Sequence, residues 1–176
     1  MQNLEYWRKV RTFKECTQFR PRRKEKNMRR HLIALDGRKP ADYAFEWYLE
    51  NFARPDDQVV IFHCSLFQLS IALPGAAVNV DAVSKQVQEA MDRANTITQN
   101  ANEVLKAKGI RGYIIIKSGM KPEEAILLTA EEEKVDHIFM GTRDLNSLER
   151  VFIGSVSTNV VRNAKVPVTI VKMSPS

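Results

Sequence analysis

Five short apolar segments, separated by stretches long enough for a helix, constrain the fold of this chain more than any other feature. They lack the apolar–polar alternation of a strand that has one face in water. They are residues 31–35, 59–62 with a continuation to about Ser65, 113–116, 137–140 and 166–171. Uninterrupted apolar strands are typical of parallel sheets that are covered on both faces, so the pattern predicts an α/β protein.

The stretches between these segments carry helical signals. Pro40 suits the first turn of a helix, and Gly109 stands just beyond the end of a long stripe of apolar residues at helical spacing. The predicted helices cover residues 40–52, 80–105, a segment that begins at Pro122, and about 155–163. Because strands and helices alternate and parallel crossovers are right-handed, we expect a single doubly wound five-stranded parallel sheet with helices on both faces, of the Rossmann-like type.

Charge divides the chain into two parts. Residues 1–30 contain eleven Lys and Arg against three Glu, a net charge of +8, which leaves about −2 for residues 31–176. We therefore predict a basic N-terminal extension over residues 1–28, helical or disordered, and one domain over residues 29–174. The extension could bind nucleic acid or an acidic surface through salt-dependent attraction. The alternatives are a disordered extension that only adds charge, or one that covers an edge of the sheet.

Other features of the composition restrict the class of protein. No apolar run reaches the roughly 18–20 residues that a membrane-spanning helix needs. The cysteines, Cys16 and Cys64, are too few for a disulfide framework and have no paired Cys or His partners at zinc-binding spacing. The N-terminus lacks the apolar stretch of a secretion signal. We expect a cytoplasmic protein without a metal site.

The residues that follow each strand are the candidates for a binding site, because ligands of open parallel sheets bind beyond the carboxyl ends of the strands. Asp36 follows the first strand, and His63 and Cys64 end the second. Gly154 and Ser155 begin the last helix, where free N–H groups and the helix dipole can bind an anion. The alternatives are structural: Ser155 or Asp36 serves only as a helix cap, and His63 only as a packed, hydrogen-bonded histidine.

Two long segments carry a resemblance to a known family. Residues 138–157 read IFMGTRDLNSLERVFIGSVS, which resembles the nucleotide-binding loop of the universal stress protein family. Residues 160–171 resemble the final helix and strand of that family, and residues 35–37 and 119–126 also match its pattern. The likeness covers residues 30–172. It implies a domain that binds ATP or AMP, and a homodimer formed through the C-terminal strand.

The resemblance also implies site residues. ATP-binding members carry G-x2-G-x9-G-[ST], and the corresponding positions here are Gly141, Asp144, Gly154 and Ser155. By the same resemblance Asp36 lies near the ribose or adenine, the Cys64 backbone faces adenine, and Met140 and Gly141 line the base or ribose. Met140 and Cys64 could equally be core residues.

Asp144 departs from the family pattern, because it replaces the second glycine. Its carboxylate would repel a polyphosphate, by about 1 kcal/mol at 4 Å in water and about 4 kcal/mol at an effective dielectric of 20. Arg143, or a bound Mg²⁺ or Mn²⁺, could offset that charge. Otherwise the chain would be a nucleotide-free dimeric scaffold.

The sequence contains no Walker A loop and no other motif of an activated nucleophile or general base. We therefore expect a nucleotide-binding stress-response module with at most slow ATP hydrolysis.

Overall fold

The computed structural model describes residues 28–65, 80–142 and 154–173. Within these ranges, strands and helices alternate along the chain. They are β1 (Arg30–Ala34), α1 (Lys39–Asn51), β2 (Gln58–Ser65), α2 (Val80–Ala107), β3 (Arg111–Ser118), α3 (Pro122–Glu132), β4 (His137–Thr142), α4 (Ser155–Asn163) and β5 (Val168–Lys172). None of these helices is long and apolar enough to cross a membrane. The predicted basic extension lies outside the described residues.

All five strands form one parallel sheet in the order β3-β2-β1-β4-β5. β1 is the central strand, and Leu32 pairs with Val60 of β2 on one side and with Ile138 of β4 on the other. The chain first builds the sheet outward from β1 in one direction, and then returns to build it in the other. The predicted fold class is therefore confirmed, and the strand order reverses between β1 and β4.

Each face of the sheet has its own core. Leu32, Val60 and Ile138 point to the face covered by α3 and α4, and all three are fully buried. The residues next to them in the strands, such as Ile33 and Ile61, point to the face covered by α1 and α2. Because successive side chains of a strand alternate between faces, burial on both sides requires the unbroken apolar runs seen in the sequence.

Some element bounds differ from the prediction. β3 is longer than the apolar run 113–116, because its parallel pairing with β2 continues over eight residue pairs, from Gln58↔Arg111 to Ser65↔Ser118. Backbone pairing does not need apolar side chains at the ends of a strand. β5 begins at Val168, two residues later than predicted; Pro167, which precedes it, has no N–H to donate to a sheet.

A network of polar and aromatic side chains closes the amino end of the sheet. Arg29 donates from Nε and Nη2 to Asp57 Oδ1 and Oδ2 at 2.9 and 2.7 Å. His31 is 1% exposed, and its Nδ1 lies 2.9 Å from the hydroxyl of Tyr48. Burial lowers the pKa of His31 from 6.5 to about 4, although the Asp57 carboxylate opposes this shift.

The low pKa of His31 predicts a pH-dependent stability. The unfolded chain binds a proton at this residue below pH 6.5, whereas the folded chain does so only near pH 4. The free energy of unfolding should therefore fall as the pH is lowered from 6.5 towards 4, with His31 contributing a loss of about 2–3 kcal/mol. Urea unfolding at about pH 7 and about pH 4.5 measures the difference. His31→Gln should reduce it by that amount; an unchanged difference in the variant would contradict the assignment.

Candidate functional site

A cavity of about 270 Å³ lies at the carboxyl end of the sheet, where the strand order reverses. Its walls come from the turn after β1, the ends of β2 and β4, and the amino ends of three helices. Six residues predicted for the site line it together: Asp36, Cys64, Met140, Gly141, Gly154 and Ser155. The other two, Arg143 and Asp144, lie outside the described residues. Positions scattered over about 120 residues of sequence thus surround one space.

The amino end of α4 contributes backbone N–H groups to this cavity. The cap residue is Gly154, and its carbonyl accepts the first helical hydrogen bond, from Thr158 N at 2.8 Å. The N–H groups of Ser155, Val156 and Ser157 come before that bond, so they have no acceptor within the helix. All three residues line the cavity. Together with the helix dipole they form a site that favours negative charge.

The alternative role of Ser155 as a helix cap is wrong. Ser155 is the first residue of the helix rather than the cap, and no side chain makes a capping hydrogen bond at this end. The reason is the backbone conformation: Gly154 has φ −53° and ψ 157°, which places it just outside the helix. The Ser155 side chain is exposed at the cavity.

Asp36 organises the turn that leads from β1 into α1. Its Oδ1 accepts a hydrogen bond from Arg38 N at 3.1 Å, and Arg38 Nε lies 3.8 Å from Oδ2. The cap residue of α1 is Arg38, so the alternative in which Asp36 caps that helix is wrong. The Asp36 side chain is 49% exposed and retains lone pairs that can accept hydrogen bonds from a ligand hydroxyl.

Arg38 also lines the cavity, although it was not among the residues predicted for the site. Its guanidinium side chain is 54% exposed, so it can approach an anionic ligand without first leaving a buried position. The predicted site residues near the strands directly follow a strand, and Arg38 stands one step further along the chain. The residue type could have identified Arg38 as a candidate, because the guanidinium group of arginine is well suited to bind phosphate.

Gly141 is required by a close contact between two distant segments. A Cβ added to it would lie 2.1 Å from the carbonyl oxygen of Pro40 and 2.9 Å from Ala41 N. These are backbone atoms, which cannot rotate away as a side chain can. The end of β4 therefore passes directly against the first turn of α1. At Gly154, by contrast, no described atom lies within 4 Å of an added Cβ.

The floor of the cavity is apolar. Met140 is 5% exposed and packs in the core beside α3 and α4, so it is both a core residue and part of the cavity wall. Cys64 is half-buried, and its thiol lies 3.7 Å from the carbonyl of Met120. Burial, with a smaller contribution from Glu123, raises the pKa of the Cys64 thiol. The thiol is therefore neutral near pH 7 and acts as a small apolar group.

His63 has a structural role and is not among the residues that line the cavity. It is 8% exposed, and its Nδ1 lies 2.8 Å from the Leu35 carbonyl oxygen, to which it donates a hydrogen bond. Because side chains alternate along β2, His63 and Cys64 point to opposite faces of the sheet. The structural interpretation of His63 agrees with these contacts.

The fold and the cavity define an α/β protein with an anion-favouring site at the reversal of strand order. The model of the Universal stress protein family matches residues 28–172, and the chain belongs to that family. Universal stress protein MJ0577 of Methanocaldococcus jannaschii is 30% identical over 112 residues, which are 63% of this chain and 68% of that protein. A solved structure of MJ0577 superposes with a TM-score of 0.67 at 25% identity, covering 84% of this chain and 98% of that one.

Two further solved structures contain nucleotides. A universal stress protein in complex with cAMP has a TM-score of 0.59 and is 26% identical, with coverage of 83% of this chain and 98% of that chain. A universal stress protein family protein from Arabidopsis thaliana with AMP bound has a TM-score of 0.60 at 18% identity, covering 83% and 92%. At 18% identity, the similarity to the Arabidopsis thaliana protein shows only that the two chains share a fold.

The two glycines at the cavity should respond differently to alanine. Gly141→Ala forces a Cβ against the Pro40 backbone and should lower the free energy of unfolding by about 1–3 kcal/mol or more. Gly154→Ala only replaces one helix-cap residue by a weaker one, and should cost about 1 kcal/mol or less. Chemical denaturation of both variants measures the difference; equal losses would contradict the packing role of Gly141.

Proposed function

We propose that this protein is a stress-response module that binds an adenine nucleotide, AMP, ADP or ATP, in the cavity at the carboxyl end of the sheet. The observation that carries the proposal is the meeting of Asp36 with three N–H groups of α4 that have no acceptor within the helix, around one cavity that has an apolar floor. Support comes from the family relative that was solved in complex with cAMP. The relative from Arabidopsis thaliana with AMP bound shares the fold.

Each part of a nucleotide has a matching part of the cavity. The phosphate groups would bind the N–H groups at the amino end of α4, where the helix dipole favours an anion. The Asp36 carboxylate would accept hydrogen bonds from the ribose hydroxyls or from adenine. The base would pack on the apolar floor formed by Phe62, Cys64 and Met140. Arg38 supplies a positive charge that offsets part of the phosphate charge.

Binding rather than catalysis is the proposed activity. Among the described residues that line the cavity, Asp36 is the carboxylate, and it already accepts a hydrogen bond from Arg38 N and lies near the Arg38 guanidinium. Asp36 thus holds the turn after β1, and no histidine and no second carboxylate lines the described part of the cavity to act as a general base. We therefore expect ATP hydrolysis to be slow if it occurs.

The proposal includes a homodimer in the cytoplasm. β5 pairs with β4 and forms one edge of the described sheet. An edge strand can pair with a strand of another chain, and pairing of β5 with β5 of a second copy would form a two-fold symmetric dimer. The small number of cysteines fits a reducing compartment.

A second candidate function is a dimeric scaffold that binds no nucleotide. The observation that favours it is Asp144, which stands where ATP-binding members have a glycine. In that case the dimer alone would carry the function.

Loss of the Asp36 carboxylate should weaken nucleotide binding. Asp36→Ala removes a charged acceptor, which contributes about 1.5–3 kcal/mol when it is hydrogen-bonded, so the Kd for AMP should rise about tenfold or more. Asp56→Ala is the matched control, because Asp56 is exposed and lies before β2, at the other end of the sheet. Isothermal titration of both variants and the unchanged chain measures the effect. If the unchanged chain binds none of AMP, ADP, ATP and cAMP, with or without Mg²⁺, the proposal fails.

Asp144→Gly separates the two candidate functions. Removing the carboxylate should strengthen ATP binding about tenfold in the absence of Mg²⁺, because the like-charge repulsion of about 1–4 kcal/mol disappears. Mg²⁺ should reduce the difference, since the cation already neutralises part of the charge. ATP binding by the variant alone, with none by the unchanged chain at any Mg²⁺ concentration, would favour the scaffold.

A further inference from the structure

A second and larger cavity, of about 510 Å³, is a groove between α1 and α2. It lies on the face of the sheet opposite to α3 and α4. Its floor is apolar and consists of Leu35, Phe45, Leu49, Ile97, Ala101 and Val104. Val104 is 40% exposed there, which makes it one of the most exposed large apolar side chains among the described residues. The groove therefore presents apolar surface that a suitable segment could cover.

One rim of the groove is acidic. Asp42, Glu46 and Glu50 repeat every four residues along α1, and all three are exposed and line the groove. Lys108 is the basic residue among the described residues that line it. A segment that fits the groove should therefore combine positive charge with apolar side chains.

The N-terminal segment of the same chain has this composition. Residues 1–27 contain nine Lys and Arg, three Glu and four aromatic residues. Tyr6, Trp7, Val10 and Phe13 stand at near-helical spacing. Residues 31–176 carry a net charge of about −2, so the excess positive charge of the chain lies in the N-terminal segment. Nucleic acid is an unsuitable occupant of the groove, because its phosphates and the carboxylates of the acidic rim are both negatively charged and repel each other.

The segment also joins the domain at the right place. Arg29 Nη2 donates to the Phe52 carbonyl at 3.4 Å, and its guanidinium lies 5.0 Å from the centre of the Phe52 ring. Phe52 directly follows α1, and Glu50 precedes it by two residues. The basic segment thus enters the domain near the Glu50 end of the groove. Twenty-seven residues can extend to about 90 Å, whereas the thirteen residues of α1 span about 20 Å.

We propose that residues 1–27 bind back onto their own chain in this groove, with basic side chains facing Asp42, Glu46 and Glu50 and apolar side chains covering the floor. This contact does not require the nucleotide proposal, because the acidic residues of the rim do not line the nucleotide cavity, which lies at the carboxyl end of the sheet. On this proposal, the basic side chains of the extension bind the acidic rim of their own chain rather than nucleic acid.

Hydrogen–deuterium exchange of the full chain, read by mass spectrometry on peptides from residues 1–27, tests the proposal. In the unchanged chain these amides should exchange about tenfold more slowly than in a free peptide of the same sequence. Glu46→Lys combined with Glu50→Lys should remove that protection. The control combines Glu124→Lys with Glu131→Lys, which makes the same change of charge at exposed positions of α3 and should leave protection intact.

A second pair of variants tests the apolar part of the contact. Val104→Lys places a charge on the floor of the groove and should also remove protection of residues 1–27. Leu128→Lys is the matched control, because Leu128 is likewise 40% exposed but lies on α3; it should have no effect. Circular dichroism confirms that each variant is folded.

Three results would overturn the proposal. The first is exchange of residues 1–27 at the free-peptide rate in the unchanged chain. The second is equal loss of protection in the groove variants and in their controls. The third is protection that rises with protein concentration, or that develops only after RNA or DNA is added, since the occupant of the groove or the partner of the extension would then be another molecule.

Discussion

The pairing of β1 with both β2 and β4 is the constraint on which the site depends. Because the chain builds the sheet outward from β1 in both directions, the connections after β1 and β4 diverge and leave a space beyond the carboxyl ends of these strands. The contact between Gly141 and the Pro40 backbone then holds the start of α1 against the end of β4. Without a glycine at that point, the two walls of the cavity could not come as close.

Much of the fold could be predicted from the sequence, because burial on both faces forces unbroken apolar strands. The positions of Asp36 and Cys64 at one edge of the sheet followed from the rule that parallel strands bring their carboxyl ends to the same edge. The place of Ser155 beside them was implied by the family resemblance, because Ser155 begins a helix and does not follow a strand. The ends of β3 could not be predicted in this way, because its outer residues are held by backbone pairing with β2 and their side chains carry no signal.

The details of the cavity depended on contacts that the sequence does not display. The requirement for Gly141 arises from Pro40, about one hundred residues earlier in the chain. The helix caps fall at Arg38 and Gly154 because of the backbone angles at those positions, although Asp36 and Ser155 are the residue types that usually cap helices. Arg38 was missed for a related reason, since its place in the cavity wall depends on the turn that Asp36 stabilises.

The nucleotide is proposed to bind where the amino end of α4 meets the turn after β1. A titration of the isotope-labelled protein with AMP, followed by amide chemical shifts, tests it most directly. We expect large shifts for the amides of Ser155, Val156 and Ser157 and for those of the Asp36 turn, with little change at His31 and Asp57 at the far end of the sheet. Absence of any shift at saturating AMP, or shifts confined to other parts of the domain, would contradict it.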